Sequence, residues 1–314
     1  MLDPVLLVIS DEAAGQRLDT LLTSHFSGVS RSQIRRWIVS ERVWVEDQPR
    51  KPGYQLIAGQ TVRVEPMPSS PTELIPENLS VEILHEDEAV IVVNKPAGMV
   101  VHPGAGNWKG TLANALVFHF QGISGKEASR PGIVHRLDKG TSGVLIIAKN
   151  EQVHDYLGRQ FQARTVEKTY LALLFGRLEP AEGLIDLPIG RDQRFRTKIS
   201  PRTRKPREAQ TRYRVIRYLP EFSSVEAYPQ TGRTHQIRVH FHHVGHPVVG
   251  DETYSRKSYL RLIDSNQAKA IKEMDRLFLH ASALTIVHPD TKSPMTFRAP
   301  LPPELAVLQA TLGD

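Results

Sequence analysis

His135-Arg136-Leu137-Asp138-Lys139 runs through Gly140-Thr141-Ser142-Gly143 into Val144, Leu145, Ile146 and Ile147. The apolar run predicts a strand covered on both faces. Gly140 and Gly143 permit a tight turn before it, so Asp138 is expected at the lip of a sheet beside Arg136. A carboxylate so placed can serve as a nucleophile or as a general base. Spacing alone favours a plainer role, because Asp before Lys-Gly is good turn chemistry. Arg17-Leu18-Asp19 repeats three of the letters at the start of an expected short helix, where Asp19 is most simply a solvated acid of the first turn. Three letters therefore settle nothing.

Other residues invite chemistry less well. His235, His240, His242, His243 and His246 cluster in sequence, but the chain has no cysteine and no tidy Asp or Glu stands beside them. His242 and His246 lie four apart with Gly245 between them, so no metal site is expected. Gly104-x-Gly106 followed by Gly110 departs by one residue from the dinucleotide fingerprint and is preceded by Pro103. No glycine-rich loop follows a clear first strand, which disfavours a methyltransferase, and no cofactor is expected.

The 314 residues suffice for a large domain with its own core plus a small one. No apolar run approaches the ~20 residues that span a bilayer. The stretch Val5 to Ile9 is too short for a signal core and follows Asp3 where a basic segment would be needed, so a cytoplasmic protein without membrane partners is expected. The formal charge of +6 is local: Arg191 to Arg217 carries eleven Lys or Arg against Asp192 and Glu208, leaving the remainder net acidic. Such a run is either a solvated face or a footprint for phosphates. Pro201 and Pro206 give it a loop-like character, which favours the second.

Stepwise patterning then supplies the supporting elements. A helix is expected from about Arg17 to His25, and a second from Arg31 to Ser40 capped by Ser30. Val43 to Val45 and Thr61 to Val64 predict short strands. A Pro-rich linker follows at 66–80. Strands are expected at Val81 to Leu84, Ala89 to Asn94 and Val166 to Phe175, with helices capped by Thr111 and Asn150. In the latter, Val153, Leu157 and Phe161 share the inner face. A further helix after Thr234 as N-cap would bury Ile237, Phe241 and Val244, with Gly245 at its end. Interleaved strands and helices without a regular βαβ beat give an α+β class.

Three ordered motifs resemble a known family. These are His135 to Lys149, Lys168-Thr169-Tyr170-Leu171-Ala172, and Thr231 to His240 continued by His246-Pro247 and Gly250-Asp251. Together they resemble the pseudouridine synthases of ribosomal and transfer RNA in the family named after large-subunit enzyme A. Val101 to Asn107 with Gly110-Thr111 also resembles its branch D. Residues 15–65 resemble an S4 RNA-binding domain, with Arg31, Arg35 and Arg36 near one helical face. The resemblance implies a small S4-like domain at 15–65, the linker, and at 81–314 a synthase domain built on a mixed, largely antiparallel sheet flanked by helices.

Pseudouridine formation breaks the uridine C1′–N1 bond, turns the base and joins C1′ to C5. The resemblance implies Asp138 as the catalytic carboxylate, Arg233 as its ion-pair partner, and Tyr170 beside the target base. Arg136 matches the family residue that fills the gap left by a flipped base. His135, Ile237 and Val239 are expected to line the substrate, Ile237 or Val239 as an apolar wall that is equally readable as core. Lys198 and Lys205 of the basic run, with Arg31, Arg35 and Arg36, are expected to contact RNA, most simply large-subunit ribosomal RNA, by a monomer. Transfer RNA as substrate and a non-catalytic assembly factor are the alternatives. A glycosidase would want two flanking carboxylates, whereas only Asp138 has arginine and tyrosine companions. Departures from the family pattern stand at Glu46-Asp47-Gln48 in place of an Asn-Gly turn, at Gly140 in place of an acid, and at Arg204 in place of glycine.

Overall fold

The computed structural model describes residues 4–27, 29–66, 74–104, 107–120, 131–195, 197–255, 259–261 and 263–313. Residues 67–73 of the expected linker, Ala105 and Gly106 of the glycine loop, and Arg196 of the basic run lie outside the described residues. The chain divides into two compact units, Met1–Glu73 and Leu74–Asp314.

In the first unit, α1 (Leu18–His25) and α2 (Arg31–Val39) pack on a four-stranded antiparallel sheet. Its strands β1 (Val5–Val8), β2 (Val43–Val45), β3 (Gln48–Pro49) and β4 (Thr61–Val64) are ordered β1-β4-β2-β3. Helix α2 starts at Ser30 because its side chain accepts from the Gln33 N–H while Gln33 reaches back to the Ser30 N–H. The apolar run at Val5 becomes an edge strand on β4. Between β2 and β3, Glu46 and Asp47 take φ of 51° and 55°, the signature of a two-residue type I′ turn. The hairpin thus keeps its geometry without Asn-Gly. Asp19 is wholly buried, which overturns its reading as a solvated acid. It accepts from Arg17 at 3.0 Å and from Arg31 at 3.2 Å, with Arg35 at 4.0 Å. The Arg17 hydrogen bond, outweighing desolvation, holds its carboxyl below the usual range.

The second unit is built on a nine-stranded mixed sheet. In chain order its elements are β5 (Glu82–Glu86), β6 (Val90–Lys95), α3 (Leu112–His119), β7 (Ser142–Ala148), α4 (Glu151–Ala163), β8 (Glu167–Phe175) and β9 (Glu182–Asp186). A small ribbon of β10 (Gly190–Arg191) and β11 (Ile199–Ser200) precedes β12 (Gln210–Leu219), β13 (Phe222–Pro229) and α5 (Gln236–His243). The chain closes with α6 (Ser265–Met274), β14 (Leu279–Val287), β15 (Pro294–Arg298) and α7 (Pro303–Thr311). The sheet order is β5-β6-β7-β14-β8-β13-β12-β9, with β15 also on β14. Among the described strands only the β7–β14 pairing is parallel, so the sheet is mixed and largely antiparallel.

Strand β7 is buried along its whole length. Its alternate residues serve two cores: Val144 and Ile146 pack with Val153 and Leu157 of α4, while Leu145 and Ile147 pack with Leu112 and Leu116 of α3. Period-two alternation between two helix layers is the physical reason the run is continuously apolar. The basic run is not one loop: it spans the β10–β11 ribbon and continues into β12, where Arg212, Arg214 and Arg217 are strand residues.

Candidate active site

Asp138 sits in the turn that feeds β7, and this turn is closed by backbone, the Thr141 N–H donating to the Asp138 carbonyl at 3.1 Å. The turn uses the Asp138 backbone and leaves its carboxylate to face the cleft. Gly143 has φ +118°, and a Cβ there would stand 2.2 Å from the Ala281 carbonyl of β14; glycine lets the two strands meet behind the turn. At Gly140 a Cβ would lie 2.3 Å from Leu277 Cδ2, so the residue expected to be acidic is glycine where Leu277 fills the space. Beneath the turn, the buried Lys95 Nζ donates to the carbonyls of Pro96 at 2.7 Å and Met99 at 2.8 Å. It also reaches the Lys139 carbonyl at 3.5 Å. Burial, with help from Arg276, pushes its pKa down to about 7.

The ion pair of Asp138 is made by Arg238, whose Nη1 donates to Oδ2 at 3.3 Å. Arg238 is in turn gripped by buried Asp251, which accepts from Nε at 2.6 Å and Nη2 at 2.8 Å. Burial alone would lower the Arg238 pKa; the Asp251 pair more than offsets it, and the value is raised. Asp251 also accepts the N–H groups of Thr253 and Tyr254. Both oxygens thus grip the guanidinium, while the two backbone N–H groups hold Oδ1 in place. Among the described residues no hydrogen bond goes to Asp138 Oδ1.

The expectation that Arg233 pairs with Asp138 is corrected by this geometry. Arg233 precedes α5, its Nε donates to the Glu208 carbonyl at 3.0 Å, and its N–H is held by Gln236 Oε1. The helix begins one residue later than expected, with His235 as N-cap in the left-handed region at φ 56°. Arg238, within the first turn of the helix, is the arginine that reaches the Asp138 turn. His235 lies 4.0 Å from Asp138 Oδ2 and meets the Tyr254 hydroxyl at 2.8 Å. Burial lowers the His235 pKa and pushes the Tyr254 phenol up to about 12. Buried Gln236 ties the loop to β12 by accepting from Thr231 Oγ1 and donating to Gln210 O and Thr211 Oγ1.

Tyr170, on β8 opposite Ala281, lines the same cleft as Asp138. Burial first, and Asp138 second, raise its pKa, so the phenol holds its proton. Arg136 is exposed on the cleft wall. His135 lines the cleft too, but its Nε2 accepts the Ile146 N–H at 3.0 Å and its ring stacks on Phe161 at 4.7 Å. Burial, with Lys168 nearby, brings its pKa down to about 3, and the neutral ring acts as a strut between turn and strand. Ile237 lines the cleft. Val239 does not: it is buried with Ile189, Ala209 and Tyr254 in a separate cluster, on the opposite side of the helix. Val244, expected on the inner face, is 41% exposed.

The cleft measures ≈ 490 Å³, within the range that accepts a small ligand or one nucleoside. Farther out, Lys198 Nζ donates to the Thr253 carbonyl and Lys205 is exposed. Arg31, Arg35 and Arg36 are exposed on α2. The histidines do not converge on one point: His235 meets the Tyr254 hydroxyl, His240 the Leu187 carbonyl and His246 the Phe175 carbonyl. Among the described residues no group of three or more metal-ligating side chains is assembled, and no helix is long and apolar enough to cross a membrane.

Sequence reasoning missed Arg238, Asp251, His235, Tyr254 and Lys95. For Arg238 a signal existed: it is a charged residue set between the apolar Ile237 and Val239 of the expected helix.

Comparison with known proteins agrees with the geometry. The pattern of the RNA pseudouridylate synthase family matches residues 89–243, and that of the S4 domain residues 16–62. The chain is 40% identical over 307 residues to the ribosomal large subunit pseudouridine synthase D of Nitrosomonas europaea, covering 96% of this chain and 86% of that one. It is 38% identical to YlyB, an uncharacterized RNA pseudouridine synthase of Bacillus subtilis, over 96% of each. Among solved structures, human RNA pseudouridylate synthase domain containing 4 superposes with a TM-score of 0.58 at 28% identity, over 74% of this chain and 92% of that one. With a cleft carboxylate fixed by a doubly anchored arginine, and relatives matching along nearly its whole length, this chain belongs to the RNA pseudouridine synthases.

Proposed function

We propose that the chain isomerises uridines of large-subunit ribosomal RNA, with Asp138 as the catalytic residue and Arg238 and Asp251 as the pair that positions it. The observation that carries this is the Asp138–Arg238–Asp251 chain at the floor of a cleft also lined by Tyr170. The large-subunit target rests on the names of relatives such as those of Nitrosomonas europaea and Neisseria meningitidis. The S4 domain supports an RNA partner.

In the reaction the C1′–N1 bond breaks, the free uracil turns, C5 bonds to C1′, and the C5 proton leaves while N1 gains one. The reaction is an isomerisation and needs no redox step. Asp138 acts either at C1′ as nucleophile or on a ribose proton as base. Its Oδ1 is open for this while Oδ2 is held by Arg238. Tyr170, kept protonated, offers a ring face for the uracil and a hydroxyl as donor. Ile237 contributes apolar wall. A stacked uridine cannot reach the cleft, so flipping is required at a cost of a few kcal/mol. Exposed Arg136 is placed to stack in the gap. Arg31, Arg35, Arg36, Lys198 and Lys205 add phosphate contacts, whose contribution is expected to fall with salt.

Mapping pseudouridine in ribosomal and transfer RNA from cells with and without the protein tests this function. Loss at large-subunit positions is expected. Loss confined to transfer RNA would reject the assigned substrate, and no loss in either would reject the function.

A further inference from the structure

The outer wall of the cleft carries cations that the chemistry above leaves unused. Arg164, Lys168 and Arg233 line it, and Arg207 is close enough to depress Arg233, whose pKa is lowered by burial first and then by Arg207 and Arg164. Lys168 is pushed down to about 8 by burial and by Arg164. Mutual depression among neighbouring cations is the mark of surplus positive charge. Among the described residues, Glu208 is the one acid in an ion pair with any of these four.

The form of that pair is informative. Arg164 Nη1 and Nη2 donate to Glu208 Oε1 and Oε2 at 3.0 and 2.8 Å, a two-pronged fork. A phosphodiester presents two oxygens in the same way. The fork is open to water, with side chains 41% and 53% exposed, so it is held weakly and is open to competition. Arg164 also ends α4 in the left-handed region at φ 60°, a position where glycine is usual and an L-residue is strained. That conformation carries a guanidinium to the cleft. The Glu208 backbone is held there too, since its carbonyl accepts from Arg233 Nε.

We propose that Arg164, Lys168 and Arg233 form a phosphodiester-binding site at the cleft rim, occupied in the free protein by the Glu208 carboxylate, which the RNA backbone displaces. The site rests on the RNA substrate argued above and extends it. It binds the backbone beside the uridine that enters the cleft, and Glu208 is its built-in competitor.

The test is filter binding of an in vitro transcript of large-subunit ribosomal RNA to the full chain at 50–300 mM KCl. Glu208→Gln is expected to bind about two- to fivefold tighter at low salt. Arg164→Gln is expected to bind about tenfold more weakly, with a salt slope shallower by about one. Arg164→Lys should keep the slope while losing affinity, because it keeps the charge without the fork. In the Arg164→Gln background, Glu208→Gln should give no gain. Glu179→Gln removes the same charge from an exposed pair with Arg177 and should change nothing. The proposal is overturned if Glu208→Gln behaves like Glu179→Gln, if it weakens binding, or if its gain survives without Arg164. Tritium release from the same transcript carrying C5-labelled uridine, measured on the unaltered protein, judges the RNA reading separately. Its absence would overturn that reading, whereas the binding cycle judges the rim site alone.

Discussion

Replacing Asp251 by Asn alters no shape but removes the charge on which the candidate site is built. Asp251 accepts four hydrogen bonds, from Arg238 Nε at 2.6 Å, Arg238 Nη2 at 2.8 Å, Thr253 N at 2.9 Å and Tyr254 N at 3.2 Å. Three of them converge on Oδ1, so the best orientation of an asparagine keeps its oxygen there. Its NH₂ then faces Arg238 Nε, donor against donor. Breaking one side of a buried pair costs about 3–5 kcal/mol. The lower end, about 3 kcal/mol, applies because Asp138 still balances part of the charge. Released from its fork, the guanidinium is drawn toward Asp138, and a displacement of about 1 Å at a reacting carboxylate costs about 100-fold in rate. The expected variant is therefore folded, less stable by about 3 kcal/mol in urea denaturation of the full chain, and about 100-fold slower in single-turnover tritium release. Its RNA affinity should be unchanged, since Asp251 is buried. A variant with a rate within threefold of the parent and stability within about 0.5 kcal/mol would refute the positioning argument.

Other expectations follow from the same contacts. Gly140→Asp should destabilise the protein by about 1–3 kcal/mol because its Cβ would meet Leu277 at 2.3 Å, and Leu277→Ala, which clears that space, should restore part of the loss in the double variant. Asp47→Gly, at φ 55° and with a side chain 90% exposed, should raise the stability of the first unit by about 1 kcal/mol, read from its thermal melt. His135 and His240, brought to about 3 and about 4 by burial, stay neutral when folded but take up protons when unfolded below about 6.5. The unfolded chain then binds more protons, so stability falls as pH drops from about 6.5 toward 4, by at most about 1.4 kcal/mol per unit for each. The urea midpoint at pH 7 and pH 5 checks this; His135→Gln and His240→Gln, which keep an acceptor and a donor respectively, should flatten the slope.

What the sequence made legible was local. The β7 run, the glycines that let its turn approach β14, the caps at Ser30, Thr111 and Asn150, and the position of Asp138 depend on near neighbours and were all readable. The partner of Asp138 was not, because Arg238 lies 100 residues away, and two arginines in one motif differ only in where the helix begins. Arg233, before the helix, is taken by the Glu208 carbonyl, and Arg238, inside it, reaches Asp138. Val239 falls to the core alternative because residues two apart on a helix lie on opposite faces, so only Ile237 of the pair lines the cleft. Asp19 looked like a surface acid because nothing local announces that Arg31 and Arg35 from the next helix will cover it. Lys95 reads as an ordinary lysine after a strand until the carbonyls around it are placed by the Asp138 turn.

The central claim is that the Asp138 carboxylate carries the chemistry while the rest of the site holds it in place. Release of tritium from a ribosomal RNA transcript labelled at uridine C5 tests it most directly, with the parent protein and Asp138→Asn compared in single turnover at equal RNA occupancy. Release by the parent, and none by a folded Asp138→Asn that binds the RNA as tightly, is the predicted result. Undiminished release by that variant would contradict the account.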